Sequence, residues 1–286
     1  MVAELFKDFG KTAGDTLRDD YDFSRKLKIK TKSENGVNGV VFTTEGAMSD
    51  NNSILAKVAT GFTHEGSGIV CKKLQISSQG RLVTEAEVPN VLTKGLKLTF
   101  KLEDGSAGKT AKVSPIGVLG AEYKQQRAAF STEADFITSN VRTSLGIVHE
   151  NFLVGGKLAF NVENSSLVEH DVGASYVGSD FATTLTTMKN FTALSASFHH
   201  RLSKDTIYAG VLDYDLKTAS NTLTVGGRYR ADVDTTFAGK VNSNGFVSLA
   251  AIQKVRPSVT LSTSVHFDAK NLESNAHKFG VGLTLG

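Results

Sequence analysis

The stretch RKLKIKTK, at Arg25–Lys32, decides the fold class of this 286-residue chain. Its lysines occupy every second position, and Leu27, Ile29 and Thr31 stand between them. Successive side chains of a β-strand point to opposite faces of its sheet, so this alternation predicts a strand with one charged face and one apolar face. The charged face requires water, and the apolar face requires a hydrophobic cover.

The same alternation recurs to the end of the chain, in units of about ten residues separated by short polar or glycine-containing turns. Among the most regular units are 95–104 and 259–268. Asn35-Gly36 closes the first unit, and this dipeptide favours a hairpin because both residues tolerate a positive φ. The pattern predicts about 19 strands, and it is least regular around Pro115.

The length and number of these strands favour a membrane barrel. Each strand with its turn takes about 14 residues, close to a lipid-spanning strand of about 9 to 11 residues and a short connection. Soluble strands average about 5 to 6 residues. A soluble β-sandwich or a solenoid is the alternative, but the repeated residues of a solenoid are missing. We therefore predict an all-β transmembrane barrel with antiparallel neighbours, closed because a bilayer does not tolerate unpaired edges. An odd strand number makes its first and last strands parallel.

Residues 2–20 show a different period. Six apolar residues recur at the three- and four-residue spacing of an amphipathic helix: Val2, Leu5, Phe6, Phe9, Ala13 and Leu17. Gly10 and Gly14 each weaken such a helix by about 1 kcal/mol, so it needs a surface to lie against. That surface is a small core, the inside of the barrel or the membrane. The chain thus divides into an N-terminal amphipathic helix with a linker, at 1–24, and a barrel, at 25–286.

Composition and motifs argue against most other classes. The net charge is +3, a mild excess that suits anionic partners but lacks the concentrated basic patch of a nucleic-acid-binding protein. Cys71 is the single cysteine, which excludes a disulfide framework, and the seven histidines show no metal-ligand spacing. The GSAGKT stretch at 105–110 lacks the first glycine of a phosphate-binding loop, so we interpret it as a hairpin loop. We predict no enzyme, no catalytic or metal site and no cofactor.

Five stretches resemble the eukaryotic mitochondrial porins, the voltage-dependent anion channels. They are DFGK at 8–11, KTKSENG at 30–36, GLKLTF at 95–100, GIVHENFLVGGKLAF at 146–160 and the closing block from Lys240. The barrels of that family have 19 strands, so the strand count and the resemblance are not independent. The resemblance implies a helix inside the pore, residence in the mitochondrial outer membrane, and passage of ATP, ADP, phosphate and inorganic ions.

The resemblance also assigns residues to nucleotide passage. The positions that match the family's nucleotide contacts are Lys11, Gly95, Leu96, Lys97, Ser264 and Asp268. Asp19, beside Arg18, stands where the family has a second helix lysine, and Phe246 and Ser248 depart from its dinucleotide pattern. The lipid-facing glutamate of some members has no match in the neighbourhood of Cys71, so its regulatory behaviour is not carried over.

Seven cationic side chains are predicted to line the pore and to set its anion selectivity: Lys11, Arg18, Lys26, Lys28, Lys30, Lys97 and Arg228. Such a wall raises the local concentration of phosphate-bearing solutes until salt screens it. Selectivity therefore depends on the sum of these charges. As a further hypothesis, the weakly stable helix at 2–20 moves with voltage and gates the pore.

Targeting and partners follow from the same resemblance. Four residues near the C-terminus resemble the sorting signal of mitochondrial barrels: Lys278, Gly280, Leu283 and Leu285. The expected partners are membrane lipid and small anionic metabolites and nucleotides, and a homo-oligomer or a larger complex stays open. The alternative function is a pore or scaffold subunit of a mitochondrial protein-import or other outer-membrane complex. An import barrel would need a larger segment ahead of its strands, whereas 24 residues precede Arg25.

Overall fold

A computed structural model describes residues 3–33, 39–48, 53–64, 66–91, 93–104, 114–273 and 276–286. The predicted turn at Asn35-Gly36 and the predicted hairpin loop at 105–110 lie outside these residues.

Two short helices precede the barrel. A 3₁₀ helix spans Phe6–Asp8, and an α-helix, α1, spans Lys11–Arg18. The helical stretch is therefore shorter than the predicted 2–20. The interruption lies at Gly10, whose φ of +68° is left-handed and cannot continue a right-handed helix.

Nineteen strands form one sheet in the described part of the chain. In chain order they are β1 Arg25–Lys32, β2 Val41–Met48, β3 Ile54–His64, β4 Ile69–Ser77, β5 Leu82–Pro89, β6 Leu96–Glu103, β7 Ile116–Lys124, β8 Ala128–Asp135, β9 Asn140–His149, β10 Phe152–Asn161, β11 Ser166–Val177, β12 Phe181–Met188, β13 Ala193–Arg201, β14 Thr206–Asp215, β15 Ser220–Arg230, β16 Thr235–Asn242, β17 Phe246–Arg256, β18 Val259–Asp268 and β19 Lys278–Leu285.

The sheet closes on itself into a barrel. Neighbours in the chain pair antiparallel, as in β1 with β2 and β18 with β19. The exception is β1 with β19, which pair parallel from Arg25 opposite Val281 to Ile29 opposite Leu285. The predicted barrel, its 19 strands and its parallel closure are confirmed.

The two faces of the strands differ as the alternation predicts. On β1 the side chains of Leu27 and Ile29 are 45% and 41% exposed on the outer face, while Lys26 and Lys28 point inward to a carboxylate on β2. The outer face of the other strands carries similar apolar side chains, including Phe42, Val58, Leu98, Leu119, Leu145, Val154, Leu185, Leu249 and Phe279. Such an apolar band requires a hydrocarbon surrounding.

No helix in the described residues combines the length and the apolar character needed to cross a membrane.

Candidate functional site: the barrel lumen

The lumen is wide enough for a helix and a water path side by side. Nineteen strands spaced about 4.8 Å apart and tilted by about 40° enclose a backbone cylinder about 38 Å across. An α-helix with its side chains is about 10 Å wide. The N-terminal segment, defined as residues 3–24, runs along the inner wall from β8 round to β19 and leaves the side of β2 to β5 to solvent.

The first part of the N-terminal segment packs on the wall formed by β8, β9 and β10. Leu5 is fully buried there between wall residues that include Val148 and Leu153, and Phe9 packs on the same cluster. Gly155 makes this approach possible, because a Cβ at that position would lie 3.0 Å from the ring of Phe9. A helix with few apolar residues thus gains a local core that the lumen wall supplies.

Helix α1 packs on the wall formed by β13, β14 and β15. Ala13 and Leu17 of the helix bury Ala209 of β14, and Val211 lies against this cluster. Lys240 of β16 donates a hydrogen bond of 2.6 Å to the carbonyl oxygen of Leu17, near the end of the helix. A cation is favourable there because the last carbonyl groups of a helix lack internal partners.

The linker after α1 binds to the inner wall through side chains. Arg228 Nε donates to Asp20 Oδ2 at 2.6 Å, and Lys240 Nζ lies 4.3 Å from the centre of the Tyr21 ring. Burial and, secondly, the charge of Asp20 raise the pKa of Tyr21 to about 12. The linker is therefore held by an ion pair and a cation–π contact in addition to backbone hydrogen bonds.

The end of the linker lies on β18 and β19. Ser264 donates to the carbonyl oxygen of Asp22, and Phe23 packs 5.3 Å from the ring of His266. Burial alone would raise the pKa of Asp22, but hydrogen bonds from Ser24 and the charge of Lys26 outweigh it and lower the pKa. The Asp22 carboxylate is thus stabilised in its charged form.

The lumen face of β1 to β4, which we call the lysine wall, carries excess positive charge. Glu45 is its central carboxylate, and three ammonium groups share it: Lys26 at 3.3 Å, Lys28 at 3.9 Å and Lys57 at 3.8 Å. Within the described residues, Lys30 has no carboxylate within 4.0 Å. Lys26 also pairs with Asp22 of the linker, at 3.4 Å. Two carboxylates cannot neutralise the four lysines, so this wall keeps a positive potential toward solvent.

Charges on the wall from β6 to β11 are more evenly balanced. Lys97 Nζ lies 2.6 Å from Glu122 and 3.6 Å from Glu87. Lys7 of the N-terminal segment also pairs with Glu122, and although burial opposes it, this hydrogen bond and charge raise the pKa of Lys7. Farther round, Lys157 pairs with Glu169 at 2.5 Å. This side of the lumen therefore fixes the N-terminal segment by ion pairs rather than attracting solute anions.

The position of α1 places the lysine wall beside the open water path. Helix α1 contacts β14 more than any other strand. Strands β4 and β5 lie on the opposite side of the barrel, half of the 19-strand circumference away from β14. The side of the lumen that the helix leaves open is therefore bounded by the lysine wall and by β5.

The family model for eukaryotic porins matches residues 3–280 of the chain. The chain belongs to the eukaryotic porin family. The barrel of this porin is an outer-membrane pore for ions and metabolites.

Two relatives of this porin align over nearly its whole length. The non-selective voltage-gated ion channel VDAC1 of Sus scrofa is 26% identical over 288 aligned residues, which cover 99% of this chain and 98% of the relative. The non-selective voltage-gated ion channel VDAC2 of Xenopus laevis is 28% identical and covers 99% of both. Among solved structures, a triple mutant of the Rhodopseudomonas blastica porin is 11% identical with a TM-score of 0.47, covering 90% of this chain and 94% of its own.

The cations predicted to line this porin's lumen lie on β1, on α1, on β6 as Lys97 and on β15 as Arg228. Those of β1 belong to the lysine wall. The two on α1 lie beside carboxylates of their own segment: Lys11 is 3.6 Å from Asp8, and Arg18 is 2.5 Å from Asp15. Arg228 is paired with the linker. The net attraction for anions therefore comes mainly from β1.

The residues assigned to nucleotide contact are not brought together. Lys97 points into the lumen, whereas Leu96, next to it in β6, lies on the opposite face. Ser264 is buried against the linker, and the Asp268 carboxylate accepts hydrogen bonds from the backbone of the following turn. Lys11 lies on α1 and pairs with Asp8, which also pairs with Lys124 of β7. Their nucleotide contacts stay a prediction.

The predicted sorting residues divide between the two faces of β19. Leu283 and Leu285 alternate with lumen-facing positions and share a face with Leu27 and Ile29 of β1. Gly280 lies on the lumen side directly beneath the carbonyl group of Asp22. A glycine at this position is therefore also required by the linker, independently of any sorting role.

Several lumen residues were not predicted from the sequence, although the alternation of the strands indicates most of them. Glu45 and Lys57 occupy alternate positions on β2 and β3, at the same level as Lys28. Glu122 could have been found in the same way on β7, opposite Lys97. Lys72 could not, because a bulge between Cys71 and Lys73 breaks the alternation.

Proposed function

We propose that this porin is a voltage-dependent, weakly anion-selective diffusion pore of the mitochondrial outer membrane. Its solutes are small metabolites, namely ATP, ADP and phosphate, together with inorganic ions. Membrane lipid on the outer face and anionic metabolites in the lumen are its partners. The observation that carries the proposal is the sharing of Glu45 by three lysines beside the open path.

The form of the selectivity follows from the geometry. The path is much wider than a bare ion, so no dehydrating filter forms, and discrimination arises from the field of the wall alone. Several lumen cations are paired with carboxylates, such as Lys97 with Glu122. Selectivity is therefore weak and decreases as salt screens the wall.

Voltage dependence is assigned to the N-terminal segment. It carries charges of both signs, and the relatives from Sus scrofa and Xenopus laevis are named voltage-gated channels. Its contacts with the wall, such as Asp20 with Arg228 and Leu5 with Leu153, have to break before it can move. Deleting residues 3–20 should therefore weaken the voltage dependence, and unchanged gating in the deletion variant would remove the segment from the mechanism.

Reconstitution into a planar bilayer tests the pore itself. The purified chain is inserted into a neutral lipid bilayer, and single-channel conductance and reversal potential are measured across a KCl gradient with and without ATP. A large pore with weak anion selectivity and closure at higher voltage is expected. A folded, inserted barrel that conducts no ions, or that strongly selects cations, contradicts the proposal and favours a scaffold or import subunit.

A further inference from the structure

The lysine wall contains a recess that the selectivity argument does not use. It lies between β1 and β4, has a cavity volume of about 340 Å³ and is lined by four lysines and one carboxylate. The lysines are Lys28, Lys57, Lys72 and Lys73, and the carboxylate is Glu45. The recess opens to the lumen, on the side away from α1.

A paired irregularity of the sheet builds this recess. In β4 the register shifts between Cys71 and Lys73, so Lys72 is an extra residue. The facing strand shifts between Thr60 and Phe62. In a regular strand two consecutive residues point to opposite faces. The bulge instead lets Lys72 and Lys73 both line the recess.

Gly61 allows the two strands to approach at this irregularity. A Cβ at this position would lie 3.0 Å from the carbonyl oxygen of Lys72. Bulges of this kind re-aim side chains at functional sites. The regular strand pairing is thus interrupted at the point where two lysines face the recess together.

The cations of the recess exceed the anions that could neutralise them. Glu45 is shared by Lys28 and Lys57 and also attracts Lys26. Lys72 has a partner in Glu87, at 2.7 Å, which lies outside the recess. In the described part of the chain, Lys73 has no carboxylate within 4.0 Å. The recess therefore retains charge for a solute anion.

The remaining lining specifies which part of a solute fits. The aromatic rings that would stack on a nucleobase are absent from the described residues of the lining, whose other polar members include Thr43 and Gln75. Lysines act as flexible point charges that bind phosphate without a fixed orientation. A chain of several phosphates reaches several ammonium groups at once, whereas a single phosphate or chloride reaches one or two.

We propose that the recess between β1 and β4 is a binding subsite for linear triphosphate groups. The subsite does not recognise the part of the solute to which the triphosphate is attached. Nucleoside triphosphates and inorganic triphosphate share this chemistry and bind there alike. Diphosphates bind less tightly and monophosphate least. The subsite rests on the proposed function for its access to solutes, because anions reach it only through the open lumen.

Calorimetry on the full chain tests the proposal. The protein is placed in phosphatidylcholine nanodiscs, which offer no anionic headgroups, and titrated with ATP, GTP, inorganic triphosphate, pyrophosphate and phosphate. The three triphosphates should bind with affinities within about threefold of each other. The K57Q/K73Q variant should lose at least about tenfold in affinity, because it removes two ammonium groups and the loss of one charge-assisted hydrogen bond already corresponds to about tenfold.

Matched variants separate the recess from the general charge of the lumen. K124Q/K157Q removes two lumen lysines that pair with Asp8 and Glu169, away from β1 to β4, and it should bind triphosphate as the wild type does. K57R/K73R keeps the charges and should keep the affinity. A loss of affinity in K124Q/K157Q equal to that in K57Q/K73Q, or tenfold tighter binding of ATP than of inorganic triphosphate, overturns the proposal.

The outcome is distinguishable from failure of the pore. Conductance of the same proteins in KCl without phosphate reports on the pore alone. If the barrel conducts normally and binds no triphosphate, the subsite is wrong and the pore stands. If it binds triphosphate but conducts no ions, the subsite stands and the pore proposal falls.

Discussion

Charge reversal on β1 should invert the selectivity of the pore. The variant K26E/K28E/K30E replaces three positive charges by three negative ones on the wall beside the open path. At a distance of about 10 Å in water, the interaction energy between one unit charge and a passing monovalent ion is about 0.4 kcal/mol. Screening at about 0.1 M salt reduces this energy to about 0.15 kcal/mol. Six units of change thus raise the energy of an anion by about 0.9 kcal/mol and lower that of a cation equally.

This energy corresponds to a change of about 20-fold in the ratio of anion to cation permeability at about 0.1 M salt, because about 1.4 kcal/mol is a factor of ten. The reversal potential across a KCl gradient in a planar bilayer measures it, and its sign should change. At about 1 M salt the screening length falls to about 3 Å, and the change should fall below about twofold.

A graded control strengthens the test. The neutral variant K26Q/K28Q/K30Q changes half as many charges and should give half of the shift in free energy, or about fourfold to fivefold in permeability ratio. A reversal potential that K26E/K28E/K30E leaves unmoved refutes the reasoning. So does an equal shift in the two variants, or a shift that persists at high salt.

Three further perturbations test the N-terminal segment. Leu5→Ala should weaken its docking by about 3 kcal/mol, seen as faster amide hydrogen exchange over residues 3–9, whereas Leu27→Ala on the lipid face should not change that exchange. The pKa of Tyr21 is about 12 in the docked linker and about 10 in a free chain, so docking should be unaffected below pH 10 and weaken as pH rises through 12. A phenolate absorbance titration that Tyr21→Phe leaves unchanged above pH 10 would contradict this. Gly280→Ala should push the linker off the wall and raise its protease sensitivity in refolded protein, while Gly282→Ala should not, because its Cβ meets the movable Ser262 hydroxyl. Equal protease sensitivity in the two glycine variants would refute the docking role.

The sequence predicts those features that repeat along the chain. Alternation with period two places charged residues such as Lys28 inside and apolar residues such as Ile29 outside, and the same rule applied to every unit gives the barrel. The parallel contact of β1 and β19 then follows from an odd count. Even the region around Pro115, where the alternation is least regular, is followed by two regular strands, β7 and β8.

Features that depend on a single residue or a distant partner are not predictable in this way. The apolar period predicts one helix over 2–20, but the chain turns at Gly10, where the wall and not the period decides the conformation. Asp20 pairs with Arg228, which is 208 residues away in the chain, and no local sequence pattern predicts that pair. Lys72 joins Lys73 inside the barrel because a bulge interrupts the alternation of β4.

The parallel seam between β1 and β19 has a consequence for biogenesis. Its strands come from opposite ends of the barrel sequence, so a nascent or truncated chain that lacks β19 leaves two open edges of the sheet. In a bilayer those edges would expose unpaired backbone groups to hydrocarbon. Closure is thus the contact of highest sequence separation in the fold, and it cannot precede synthesis of the last strand. Because Val281 also donates to the Ser24 carbonyl, the step that seals the wall also sets the linker in place, and insertion and lumen assembly end together.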